Sequence, residues 1–458
     1  MEVFEKYNHF FFVGIAGTGM SAIAQYLKGI GKKVSGSDRL FNQDKKMLIQ
    51  EQFEKMGINC FFQDASGVDK DVDVIVISTA IEETNIELKK ARQLGIPVMK
   101  RSELLASISK TKKTIAVGGT SGKSTTSAMI FHILQTCGVK PSIMSGAGLT
   151  SLQEKGLPGN AWVGDSEWLV IEADESDGSI VNYISEISLL LNVDRDHKEY
   201  DELLELFSQF KKHTVGRFIV NRSHPMSKKL SQNKAFDFSS NGEEAGFVST
   251  DFTQEGFSIS FKCNDIEVKM PLIGRHNMEN ATAAIAACQA VGLAIEDCAK
   301  ALENHKGIYR RTQLAGIVNG IYVIDDFAHN PAEVVCAIKA SQAVGKRVFA
   351  WFQPHGFGPL KFMHKEIETD IPEALRKTDV FLLSDVYYAG GTVTKEYTST
   401  EVATEMLKRN NNIEFFPNRK DMLPYLKHEC KEGDVIIIMG ARDTTLSDFA
   451  KEIVEYLA

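Results

Sequence analysis

Residues 114–125 read Thr114-Ile115-Ala116-Val117-Gly118-Gly119-Thr120-Ser121-Gly122-Lys123-Ser124-Thr125. The apolar, β-branched run 114–117 predicts a buried strand, the glycines a tight loop, and the apolar spacing over 125–135 a helix. Strand, Gly-rich loop and helix in that order is the setting of a phosphate-binding loop. Free N–H groups at the helix start would cradle phosphates, Lys123 would neutralise β/γ oxygens, and the Ser124 hydroxyl would ligate Mg2+. The long form GxxxxGK[ST] fails because Val117 stands at its first glycine, whereas the short form GTxGK[ST] fits. Gly119, Thr120, Gly122, Lys123, Ser124 and Thr125 are therefore candidate ATP contacts, with a glycine-rich connector carrying an exposed lysine as the competing reading. A loop lysine packs little core, so Lys123→Ala is expected to remove activity and spare the fold.

Downstream, the apolar run 168–173 leads into Glu172-Ala173-Asp174-Glu175-Ser176-Asp177. Four acids at a strand end facing a lysine loop are electrostatically costly unless a cation sits there, so they read as Mg2+ ligands; a solvated acidic turn is the alternative. The next strand, 187–193, runs into Asn192-Val193-Asp194-Arg195-Asp196-His197 and offers His197 as a ligand beside that site. Farther on, Gly274-Arg275-His276-Asn277-Met278-Glu279-Asn280 opens an alanine-rich helix. Asn277 and Asn280 could read an adenine edge or simply cap the helix. Arg310-Arg311 precede a strand ending in Asp325-Asp326-Phe327-Ala328-His329-Asn330-Pro331. An arginine there suits phosphoryl charge, and a carboxylate suits a ribose or an arginine partner.

Upstream, a strand at 10–13 and a helix at 20–29 flank Gly14-Ile15-Ala16-Gly17-Thr18-Gly19. The spacing is GxxGxG, because Ala16 sits where a GxGxxG loop has its second glycine. A nicotinamide or flavin site, a nucleotide-sugar site and a plain turn all use such a loop. Asp38, after the next strand, could accept from a ribose hydroxyl or belong to a turn.

Further strands are predicted at 72–78, 96–99, 323–325, 348–352, 380–384 and 435–439, alternating with helical patterns. The fold class is α/β with three domains: a Rossmann-like domain at 1–108, a P-loop ATPase-like parallel sheet at 109–305 and a second Rossmann-like domain at 306–458. With 43% hydrophobic and 24% charged residues, 458 residues can bury several cores, which excludes disorder. A net charge of −8 without a basic block argues against nucleic acid or anionic membrane as partner. No 18-residue apolar run and no signal-like start are found, and seven scattered cysteines without a CxxC pair suit a reduced, cytoplasmic protein without structural zinc.

The order GIAGTGMSAIA, GTSGKSTT, EADESD, NVDRDH, GRHNMENATAAIAA and DDFAHNP, spread over the whole chain, resembles the Mur ligase family, the ATP-dependent amide-forming enzymes of peptidoglycan assembly. Within it the chain is most similar to the MurC type, which joins L-alanine to UDP-N-acetylmuramate. The resemblance implies ATP and Mg2+ as cofactors, and a UDP-N-acetylmuramate-type sugar and an amino acid as partners, in a monomer or homodimer. It implies that the substrate carboxylate is phosphorylated and the acyl phosphate attacked by an amine. By the same resemblance Lys123, Glu172, His197 and Arg311 are catalytic, and Ser124, Glu172 and His197 hold the metal. Asn277 and Asn280 lie on the adenine side, Arg311 and Asp326 serve the nucleotide, and Gly14, Gly17, Gly19 and Asp38 bind the UDP-sugar. The lysine that some members carbamylate would fall near 210–212, at Lys211 or Lys212.

Three departures stand out. The loop reads GTSGKS rather than GTHGKT, which keeps the hydroxyl. His329-Asn330-Pro331 replaces the histidine pair before proline. Gln353-Pro354-His355-Gly356-Phe357-Gly358 lacks the arginines that follow the histidine in the MurC type and are associated there with the incoming amino acid. A paralogue with another amine, or a peptide-adding ligase of the murein-recycling (Mpl) type, is therefore the alternative. An NAD-dependent oxidoreductase and an ATP-binding regulatory module are the readings from other classes.

Overall fold

Every residue of the strand His9–Val13 (β1) is buried, yet Phe10 and Phe12 belong to one core cluster and Phe11 and Val13 to another. A strand covered on both faces reads as a continuous apolar run, and such strands build parallel sheets with helices on either side. In the computed structural model, which describes residues 2–42, 46–176, 178–195, 198–388 and 397–458, β1 lies at the centre of a five-stranded sheet. With Lys33–Asp38 (β2), Asn59–Phe62 (β3), Val74–Ile77 (β4) and Val98–Lys100 (β5) the order is β3-β2-β1-β4-β5, all parallel. The order reverses beside β1, so its C-terminal end, where Gly14 begins the loop, is the switch point of this sheet.

The second sheet contains Lys113–Gly118 (β6), Ser142–Met144 (β7), Ala161–Trp162 (β8), Trp168–Glu172 (β9), Ser185–Leu190 (β10) and Thr214–Val220 (β11), in the order β11-β10-β6-β9-β7-β8. β8 is antiparallel, and β6 lies between β10 and β9, so the loops after all three open at one sheet edge. A smaller sheet follows, made of Phe238–Ser239 (β12), Phe247–Glu255 (β13), Ser258–Cys263 (β14) and Ile266–Met270 (β15). The sequence predicts no strands here, because exposed polar residues interrupt β13 and weaken the apolar signal.

The last sheet has Gln313–Val318 (β16), Ile321–Asp326 (β17), Val348–Phe352 (β18), Val380–Leu383 (β19), Ile413–Phe415 (β20) and Val435–Met439 (β21), ordered β16-β17-β21-β18-β19-β20 with only β16 antiparallel. Its strands repeat the two-sided alternation. Val348, Ala350, Phe352, Ile437 and Met439 face one cluster, while Phe349, Trp351, Ile436 and Ile438 face the other. The buried Trp351 indole donates to Ser384 Oγ at 2.7 Å, which satisfies its polar edge.

Two compact units result. One comprises 1–250, 263–268 and 280–308, the other 251–262, 269–279 and 309–458. The first unit contains both the first and second sheets, because Phe10 and Phe12 share a continuous core with Ala116, Leu169, Ile171 and Phe207. No helix among the described residues is long and apolar enough to cross a membrane.

Candidate active site

β6 ends at Gly118, and the helix Lys123–Thr136 starts after its N-cap Gly122, which has a left-handed φ of 84°. Gly119 has φ 139°, and a Cβ there would stand 3.1 Å from Leu191 Cβ and 3.2 Å from the Asn192 nitrogen. A Cβ at Gly122 would stand 2.7 Å from Asn280 Oδ1. Both glycines are thus required by close neighbours as well as by backbone conformation.

Asn192 clamps the loop. Its Oδ1 accepts from Thr120 Oγ1 and the Ser121 N–H, each at 2.8 Å, and its Nδ2 donates to the Ser121 carbonyl at 3.0 Å. The Asp194 N–H adds a bond to Thr120 Oγ1 at 2.9 Å. The sequence singles this segment out only through His197. The signal this misses is an Asn at the end of the neighbouring strand, one of the few side chains that can accept and donate to the same backbone. His197 itself lies outside the described residues.

Lys123 Nζ donates to the Gly119 carbonyl at 2.7 Å and to Glu175 Oε2 at 2.9 Å, with the Lys123 side chain 16% and Glu175 5% exposed. Burial would pull the lysine down, but Glu175 and Asp174, with Glu172 behind them, more than offset this and hold it above its ordinary value. The lysine is therefore a charged, buried partner of Glu175, and the expectation that its removal spares the fold is corrected: deleting it strands a buried carboxylate.

Ser124 and Glu172 come together as the sequence suggested. Ser124 Oγ donates to Glu172 Oε2 at 2.9 Å, while Glu172 Oε1 accepts from Ser145 Oγ and the Gly146 N–H, both at 2.6 Å. The anchored carboxylate offers its second oxygen beside a hydroxyl, an all-oxygen donor pair of the kind a hard divalent cation takes. On the other side of the loop, the buried Thr126 hydroxyl donates to Asn280 Oδ1 at 3.3 Å. Thr125, next to it, is also buried. Lys212 is exposed and Lys211 half-buried at the end of the helix Tyr200–Lys212, and among the described residues neither bonds to the loop or to Glu172.

At the first sheet, the N–H groups of Gly14 and Ile15 donate to the Ser37 carbonyl at 2.8 and 2.9 Å. Gly14 has φ 79°, and Gly17 is the N-cap of the helix Thr18–Gly29. Asp38 is buried, and its two oxygens accept from the Ala16 and Leu40 N–H groups at 3.0 Å each, so it holds the loop's shape. Gly19 is pressed by Arg101: a Cβ there would meet its Nη1 at 2.5 Å.

The second unit contains Asn277, Arg311 and Asp326. Asn277 is buried and donates to the Ile273 carbonyl at 2.7 Å, just ahead of the helix that starts at Arg275. Of the two arginines, Arg310 is structural: it is 6% exposed and donates to Asp325 Oδ1 at 3.0 Å and to the Gly440 carbonyl at 2.8 Å. Arg311 lies 5.2 Å from the Phe327 ring centroid and 3.6 Å from Glu333 Oε1. Burial would raise the Glu333 carboxyl, but His329, bonded at 3.0 Å, and then Arg311 outweigh it and hold the acid well below the usual range. Asp326 accepts from the Thr312 and Ala328 N–H groups at 2.6 and 2.7 Å, yet burial, only partly countered by Arg311, pushes it up to about 6. Burial, followed by Arg311, pulls His276 down to about 4.

Known proteins bear directly on these constellations. The pattern of the Mur ligase family catalytic domain matches residues 9–113, that of the Mur ligase middle domain 117–288, and that of the Mur ligase glutamate ligase domain 310–442. A UDP-N-acetylmuramate–L-alanine ligase of Pelotomaculum thermopropionicum is 34% identical over 460 residues, covering 96% of each chain. One from Rhizobium etli is 32% identical, covering 95% of this chain and 94% of its own. Among solved structures, the UDP-N-acetylmuramate–alanine ligase MurC of Thermotoga maritima aligns over 98% of both chains with a TM-score of 0.78 at 24% identity. A murein peptide ligase of Psychrobacter arcticus also aligns over 98% of both, with a TM-score of 0.69 at 21% identity. Three family domains in sequence and full-length relatives above 30% identity place this chain in the Mur ligase family.

Proposed function

We propose that the protein is an ADP-forming ligase that joins an amine-bearing amino acid to the carboxylate of a UDP-N-acetylmuramate-type sugar in peptidoglycan synthesis. The observation that carries this reading is the meeting of Lys123, Ser124 and an anchored Glu172 at one end of the second sheet, in a chain whose relatives bear that activity in their names. Domain boundaries near 109 and 306 would assign the UDP-sugar to the first domain, ATP to the second and the amine to the third. In the reaction, the substrate carboxylate attacks the γ-phosphorus of ATP and ADP leaves. The amine then attacks the acyl carbon and inorganic phosphate departs.

Lys123 would turn from Glu175 to the β/γ oxygens and stabilise charge as the phosphoryl group moves. Ser124 Oγ and Glu172 Oε2 would hold Mg2+, with His197 as a further ligand. The ion, when bound, supplies charge neutralisation at the phosphates. Arg311, steadied by Glu333 and Phe327, is the cation proposed for the nucleotide, and Asp326 shapes the loop beside it. Asn280 and Asn277 are proposed for the adenine side, and Gly14, Gly17 and Gly19 for the UDP diphosphate. A cytoplasmic location agrees with seven free cysteines.

The test is phosphate release with ATP, UDP-N-acetylmuramate and a panel of amino acids and short murein peptides. Release that requires both the sugar acid and one amine supports the reading. Release without any amine, or none with any acceptor, overturns it.

A further inference from the structure

β18 and β21 are adjacent parallel strands with Phe352 opposite Met439, so the chain leaves their C-terminal ends side by side. The contact continues past the sheet: the Gln353 N–H donates to the Met439 carbonyl at 3.0 Å, and a Cβ on Gly440 would lie 3.1 Å from the Gln353 carbonyl oxygen. One exit carries Gln353-Pro354-His355-Gly356-Phe357-Gly358-Pro359-Leu360, with no Lys or Arg until Lys361 in the helix that follows. The other carries Gly440-Ala441-Arg442-Asp443. The cation that the first segment lacks thus stands on the second.

Arg442 has φ 62°, the left-handed region that favours glycine. Arg310 adopts a similar φ of 56°, but its guanidinium is buried and bonded to Asp325 and to the Asp326 and Gly440 carbonyls, which compensates. Arg442 has no such return. It is exposed, and among the described residues no hydrogen bond or ion pair engages its guanidinium. The turn is braced by its neighbour instead. Asp443 Oδ1 accepts from the Thr445 N–H and hydroxyl at 2.9 and 2.6 Å, and Oδ2 accepts from Arg419 at 2.8 Å. An arginine that costs backbone energy and bonds to nothing in its own chain does not stabilise the fold. It stands just past the C-terminal end of β21, at the edge where open α/β sheets take ligands.

We infer that Arg442 anchors the carboxylate of the incoming amine, in place of a cation on the His355–Leu360 segment, and that the acceptor is therefore an amino acid or peptide with a free carboxylate. The inference rests on the ligase reading and adds the residue that selects the acceptor. A guanidinium can hold a carboxylate through two parallel N–H···O bonds, which lysine cannot reproduce.

The experiment compares wild type, Arg442→Gly and Arg442→Lys with each amine offered as the free acid and as the carboxamide. Phosphate release gives KM, and calorimetric titration of the amine into protein with a non-hydrolysable ATP analogue and the sugar acid gives binding without turnover. Arg442→Gly should raise KM and Kd for the acid about 10- to 100-fold, bring acid and amide to near parity, and leave KM for ATP and the sugar acid unchanged. Its thermal midpoint should stay level or rise, because glycine relieves the left-handed strain. Arg442→Lys should recover part of the acid preference. Wild-type acid-over-amide discrimination in Arg442→Gly overturns the assignment, as does failure of the wild type to bind any amino acid. No amine-dependent turnover in wild type, with amine binding present and lost in Arg442→Gly, overturns the ligase reading alone.

Discussion

Glu172→Gln separates a metal ligand from a structural strut. In the native site the carboxylate accepts from Ser145 Oγ, the Gly146 N–H and Ser124 Oγ. A glutamine can keep its carbonyl oxygen toward Ser145 and Gly146 and turn its amide to donate to Ser124 Oγ. Three charge-assisted bonds become neutral ones, a loss of about 1 kcal/mol each or less, so stability should fall by about 2–3 kcal/mol. The melting midpoint should then drop by roughly 3–5 °C for a unit of this size. The anionic oxygen beside Ser124 is lost outright, so the Mg2+ concentration giving half-maximal phosphate release should rise about 10-fold or more, and turnover should fall about 100-fold. Binding of the UDP-sugar, assigned to the first domain, should be nearly unchanged. The assay is phosphate release titrated with Mg2+, with a thermal melt of the same preparation. A lowered melt with a wild-type Mg2+ titration and turnover would show that Glu172 only supports the Ser145–Gly146 turn.

Lys123→Ala should cut turnover by about 100-fold or more and, unlike a free loop lysine, also destabilise by about 3–5 kcal/mol by stranding buried Glu175; adding Glu175→Gln should restore the melt and not the activity, and full activity in the single variant would exclude a phosphate role. Asp326, pushed up to about 6 from 3.8, keeps its proton in the folded state after the unfolded chain has lost it. Folding stability relative to Asp326→Asn should therefore decline by up to about 3 kcal/mol as pH rises from about 4 to about 6 and stay level above. Parallel urea midpoints for the two proteins across that window would refute the shift. Gly356→Arg should alter the ranking of amine acceptors, but at φ +71° it also costs about 1–2 kcal/mol; Gly358→Arg, where a Cβ meets nothing within 4 Å, tests the added cation without that strain, and identical rankings for wild type and both variants would show that this segment does not set specificity.

The α/β class, the strand cores and the strand, glycine loop and helix at 113–136 are legible in the sequence because they depend on local signals: β-branched apolar runs, glycines at a strand end, a lysine and a hydroxyl at fixed spacing. Full burial of Phe10–Val13 follows from four consecutive apolar residues, and Ser124 meets Glu172 because β9 ends at Glu172 beside β6, whose following loop leads to Ser124 on the first turn of the next helix. Other features needed the tertiary structure, because they pair residues far apart in the chain. Asn192 clamps Thr120 from 72 positions away, and the burial of Lys123 against Glu175 turns a loop lysine into half of an ion pair. The four-stranded sheet at 238–270 is half exposed and carries too weak an apolar pattern to be read. Arg442 looks like any surface arginine until the pairing of β18 with β21 shows that its segment and the one that starts at Gln353 leave the sheet side by side. A linear motif records which side chains are present, whereas strand register decides which of them share an edge, and burial decides which of their charges remain available to a ligand.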